Sequence, residues 1–207
     1  MATRSEPAVA LAHEQAAAVH GAYRWVEHRL FALAGAWAAR GANDPGARLL
    51  LDEASLQHAW HARLWADRLP VLDGVDPDRF TVAPAGCDAL FAELADLGDR
   101  SGDAPALVAG LSGLYDVVVP ALLTSYGHHR RIATEVTDRP TERALGLAAS
   151  DDAALCAAAR RLLDDLAAAP ELAARRAASS ERRVSLLPGS APGSALIALP
   201  ESRLAGV

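Results

Sequence analysis

The positions where this chain cannot remain helical constrain its fold more than any other feature. Gly41 ends a run that begins near residue 6, and Asp44 followed by Pro45 supplies an N-cap and a first-turn proline for the next. Pro70 stops that second run, Asp103 with Pro105 opens a third, Asp138 with Pro140 a fourth, and Pro170 a short fifth. The links between them are unequal. About four residues join the first run to the second and about five join the third to the fourth, whereas more than thirty separate the second from the third. Short links make antiparallel hairpins. A second helix of about 25 residues is roughly 38 Å long, and the long link can return the chain along that length to start the third helix beside the second.

Between the breaks, apolar residues recur at spacings of three and four. Val19, Tyr23, Val26, Leu30, Leu33 and Trp37 mark one face of the first helix (6–40), and Leu49, Leu56, Trp60 and Leu64 one face of the second (44–69). The third (104–132) carries Leu107, Leu111, Leu114, Tyr115, Val118, Leu122, Tyr126 and His129, with Pro120 predicting a kink. The fourth (139–168) carries Leu145, Ala148, Asp152, Ala159 and Leu163. Alanine supplies much of the hydrophobic half of the composition, and β-branched and aromatic residues are sparse, which favours helices over strands. The expected fold is all-α: a bundle over 6–168, a short Arg-rich helix over 169–185, and a Pro/Gly/Ser tail over 186–207 that adds little stability. Within the 70–103 link, CDALFAELADL reads as a small helix of its own.

Charge and cysteine usage exclude several classes of function. The net charge of −6 has no block of one sign, and the basic residues, all arginine, form no clustered face of the kind that binds nucleic acid. No signal-peptide pattern or run of 18 apolar residues stands out, so no membrane association is expected and the cytoplasm is the expected location. Cys87 and Cys156 lie far apart, outside any metal or redox spacing, and are expected as reduced thiols. Trp25 falls outside the core stripe of the first helix, and a second apolar edge there predicts a homodimer.

Two hairpins, a long crossover and polar residues midway along inward faces make residues 10–168 resemble the ferritin-like superfamily, whose helical bundles have one such crossover. The resemblance implies a ferritin-like four-helix bundle; the cofactor stays unassigned, with iron as the candidate that the resemblance offers. Di-iron members carry a glutamate on the first helix, Glu-x-x-His on the second, a carboxylate on the third and Glu-x-x-His on the fourth. Here Glu27 stands for the first glutamate and Glu53 for the second, but the residues three beyond Glu53 and Asp152 are Leu56 and Leu155, so both Glu-x-x-His motifs are missing.

The site residues expected are Glu27, Glu53, His61, His129 and Asp152 as metal ligands, with Glu53 and Tyr115 as catalytic groups. Glu53 falls inside the arc of Leu49, Leu56, Trp60 and Leu64, so a helix that buries them buries a carboxylate too, which must be paired, metal-bound or protonated. His58 falls on the opposite face and is expected outside the core. The function expected is an incomplete metal site performing oxidative chemistry on a small organic molecule. A non-catalytic binding or assembly protein, and a metal-free enzyme using Glu53 as acid and base, are the alternatives.

Overall fold

The computed structural model describes residues 11–40, 43–98, 103–133 and 138–200, and these are all-helical with no strand. Four long helices, α1 (His13–Ala39), α2 (Pro45–Ala66), α4 (Ala104–Ile132) and α5 (Arg139–Leu166), enclose the core, joined by the shorter α3 (Cys87–Gly98) and α6 (Pro170–Val184). The expected start of the first helix near residue 6 lies outside the described residues. Asp44 caps α2 as its sequence requires, its Oδ1 accepting from the Ala47 N–H at 2.7 Å. Asp103 and Asp138 occupy the N-cap positions of α4 and α5 without a capping bond from the side chain.

Contacts along the helices give their directions. Glu27 meets His58 while His20 meets the Arg68 carbonyl, so α1 and α2 are antiparallel. Trp37 packs at Gly110 and His20 at His129, so α4 is antiparallel to α1 and therefore parallel to α2. Gly46 approaches Leu162 while His61 approaches Asp151, making α5 antiparallel to α2. A parallel α2–α4 pair needs a connection as long as the helices, and residues 67–103 supply it. The described residues of this segment are folded onto the bundle. Its helical turn Pro77–Phe80 backs onto α1 at Gly21, where a Cβ would stand 1.8 Å from the Phe80 carbonyl oxygen. Cys87, Leu90, Phe91 and Leu94 of α3 are fully buried.

Pro120 does not break α4. The helix widens to π-helical geometry over Gly113–Val118, immediately before the proline. Pro120 has no N–H for the carbonyl four residues back, and the wider turn absorbs that mismatch while keeping the helix continuous. The same helix is apolar enough in one stretch to cross a membrane, but 83% of that stretch is buried inside the bundle.

Three expectations fail. The first concerns the face of α2. Leu49 and Leu56 are 71% and 75% exposed and Glu53 is exposed beside them, while Ala47, Leu50, Leu51, Ala54, Ser55, His58, His61, Ala62 and Trp65 point inward. Close approach decides this orientation: Gly35 on α1 leaves room for Ser55, and Ala34 and Ala54 are buried in the same region. The second concerns Trp25, which packs edge-on against Phe91 of α3 at 5.3 Å and therefore gives no argument for a dimer.

The third concerns the tail. Leu187, Leu196 and Ile197 are buried, the Leu196 N–H donates to the Ala121 carbonyl at 3.1 Å, and the Ile197 N–H donates to Ser125 Oγ at 3.0 Å. The short apolar stretch escapes prediction because its backbone partners lie on α4, far away in sequence. Leu196→Ala should therefore cost about 2–4 kcal/mol and lower the Tm by roughly 5–10 °C; a thermal melt indistinguishable from the parent would show that the tail does not hold α4.

Candidate metal centre

Three of the four long helices bring Glu27 (α1), His58 and His61 (α2) and Asp152 (α5) to the middle of the bundle, where one donor atom from each lies within 4.8 Å of all the others. None is more than 1% exposed. His58 and His61 are three residues apart and so share the inward face of α2. Glu27 lies one residue beyond Val26 on the stripe of α1, and Asp152 lies one turn beyond Ala148 on that of α5.

The cluster is held by a directed network. Glu27 Oε2 lies 2.6 Å from His58 Nδ1, and Glu27 Oε1 accepts from the Tyr126 hydroxyl at 2.5 Å. Tyr126 in turn accepts from the Trp65 indole N–H at 3.3 Å. His61 turns Nδ1 inward, 3.4 Å from both Glu27 Oε1 and Asp152 Oδ1, and directs Nε2 outward to Asp151 Oδ2 at 3.4 Å. Within the cluster, three buried atoms lack a hydrogen bond: His61 Nδ1 and both carboxylate oxygens of Asp152. Unpaired carboxylate oxygens this deep cost free energy unless a cation or a proton satisfies them.

Electrostatics within the cluster are tightly coupled. Burial raises the Glu27 pKa, but the charge and hydrogen bond of His58, then the nearby His61 imidazole, override it and hold it down at about 2. Burial would keep His58 neutral, yet Glu27 and Asp152 hold its pKa above the usual value. His61 is likewise opposed by burial but lifted by Glu27 and Asp152 to about 9. Burial, then the neighbouring Glu27 charge, pushes Asp152 up to about 7.

Of the residues expected from sequence, Glu27, His61 and Asp152 are brought together. Glu53 is not: it stands on the outer face of α2, in solvent. His129 is buried one turn beyond Tyr126, in a stack with Tyr23 at 5.8 Å and His20 at 5.9 Å, and outside the group of four. Burial, with the neighbouring imidazole as a further cause at His20, lowers both of these histidines to about 4, so they are neutral at pH 7. Tyr115 is buried on the π-helical stretch near Asp152 and Cys156, and burial raises its hydroxyl pKa well above the usual value. His58 is the residue that sequence reasoning placed on the wrong side. The available signal was its spacing of three from His61 in HAWHA, which puts both imidazoles on one face whichever face is buried.

The donor set suits one ion. Bonds of about 2.0–2.2 Å put donors on opposite sides of an ion roughly 4 Å apart, so side chains within 4.8 Å of one another close on a single centre with small shifts. Two metal ions sit about 3.5–4 Å apart in shared sites, and four ligand residues do not fill two coordination shells. Comparison with protein-family models, curated proteins and solved structures found no match to this chain.

The sign of the pH dependence follows from the raised imidazole pKa values. The folded, metal-free protein keeps its His61 proton up to about pH 9, whereas the unfolded chain releases it near 6.5. The resulting stabilisation is complete below pH 6.5 and is lost as pH rises through 9. Metal-free protein should lose on the order of 2–3 kcal/mol between pH 7 and 9, measured by urea unfolding at each pH. A stability that rises over this interval would contradict the assigned charge states.

Proposed function

We propose that this protein is a ferritin-like helical bundle that binds one divalent transition-metal ion, iron first among them, through Glu27, His58, His61 and Asp152. The observation that carries the reading is the set of buried, unbonded donors, His61 Nδ1 and the two Asp152 oxygens, turned toward a fully hydrogen-bonded glutamate. Mixed imidazole and carboxylate ligation fits first-row ions such as iron(II), manganese(II) or zinc. The parallel α2–α4 pair and the folded crossover support the ferritin-like architecture, with one metal in place of the usual two.

Residues around the four ligands have definite tasks. Asp151 accepts from the outer N–H of His61 and so turns Nδ1 toward the centre, the carboxylate–histidine arrangement common behind metal ligands. The chain from Trp65 through Tyr126 orients Glu27 and stabilises its charge. A bound iron ion would supply one-electron redox chemistry at this point. Its ligands are at most 1% exposed, which favours a reactant as small as dioxygen or peroxide over the organic substrate expected from sequence.

Elemental analysis of protein purified without chelators from metal-supplemented cells should give about one ion per chain. Asp152→Asn and His58→Ala should abolish that ion, Asp151→Asn should weaken it about 10- to 100-fold, and Glu53→Gln should leave it intact. Two ions per chain, or none, would refute the assignment.

A further inference from the structure

We infer that a second copy of this chain docks on the outer face of α2, antiparallel and related by a two-fold axis. Leu49, Leu56 and Trp60 are 71%, 75% and 45% exposed. At 100° per residue, all three lie within about 20° of the direction opposite His58, so they form one line along the back of the helix. Their spacings of seven and four are those of a coiled-coil seam, and an apolar line of this kind on a folded surface marks a place of contact. The inner face of α2 is already occupied by the core and the ligand histidines, so refolding of the helix cannot bury this line as well.

The charges beside the line favour another copy over a different partner. Asp52 and Arg63 are both exposed and flank the line on the same side, at about 120° and 140° from His58. In an antiparallel helix pair, residues on the same flank of the two helices face each other. A two-fold axis passing between residues 57 and 58 sets Asp52 against Arg63 of the partner subunit, and symmetry repeats the pair. The same axis brings Leu56 and Trp60 together at the centre of the contact. One surface thus carries both halves of its own complement, as an isologous interface requires. Arg63 already bonds Asp67 at 3.1 Å on the same helix, so the guanidinium is held on this surface. Trp60 also lies against His61, with ring centroids 5.5 Å apart and the rings tilted, which places the contact one residue from the metal cluster.

Sedimentation velocity and equilibrium on the full chain test this. The wild-type protein should be a dimer at micromolar concentration, and Leu56→Glu should weaken association roughly tenfold or more with unchanged far-UV circular dichroism, because the position is exposed. Asp52→Arg and Arg63→Asp should each weaken the dimer, and the double variant should restore it. A monomeric wild type, or a dimer indifferent to Leu56→Glu, would overturn the interface. A double variant no stronger than the singles would overturn the antiparallel pairing.

Discussion

A carboxylate and an imidazole 2.6 Å apart, both buried, tie α1 to α2. Separating Glu27 from His58 inside the bundle would strand a charge in a medium that cannot solvate it, a loss on the order of 3–5 kcal/mol. That constraint fixes which way α2 faces. With His58 inward, the small residues Ala47, Ala54 and Ala62 fall against the core, and the larger Leu49, Leu56 and Trp60 fall outside. The outer apolar line is therefore a consequence of the inner polar cluster. Helix register, polar cluster and proposed interface depend on one contact.

The same dependence explains what could be read from the chain. Helix boundaries were legible because Gly41, Pro70 and the Asp-x-Pro or Asp-Pro starts are local signals, set by backbone chemistry that needs no tertiary partner. The faces of α1, α4 and α5 were legible because large apolar residues mark them: Tyr23, Val26 and Leu30; Leu111, Leu114 and Leu122; Leu145 and Leu163. On α2 the rule does not discriminate. Its buried face carries Leu50, Leu51 and Trp65 among alanines, a serine and two histidines, and its exposed face carries two leucines and a tryptophan as well. A pattern argument weights side chains by hydrophobicity, whereas this helix is placed by close approach and charge pairing. Glu53 looked buried and His58 exposed for that one reason, and both expectations failed together.

Asp152 shows where local and global reasoning meet. Its position on the α5 stripe was visible, as was the anomaly of a carboxylate among alanines. Its partners come from α1 and α2, more than ninety residues earlier in the chain, and only the antiparallel α2–α5 packing supplies them. The tail follows the same principle: Ser125 on α4 donates to the Ala121 carbonyl and accepts from Ile197, a bridge that no property of the tail itself announces.

The charge balance at the cluster explains why four polar groups can share one dry site. A structural ion pair needs only Glu27 and His58. Adding Asp152 places a second carboxylate beside the first, and like charges at that separation repel strongly in a low-dielectric interior. Two occupants neutralise the pair equally well. One is a pair of protons, held as imidazolium on His58 and His61, the state that their raised pKa values describe. The other is a single divalent cation with both imidazoles neutral, since a ring nitrogen cannot hold a proton and a metal at once. The two states carry the same net charge, so an ion can enter by displacing protons without leaving the cluster charged. They differ in what the unbonded atoms do: protons on the histidines leave the Asp152 oxygens without good partners, whereas a central cation satisfies them and His61 Nδ1 together. The cation proposed here would use every donor that the protons leave idle.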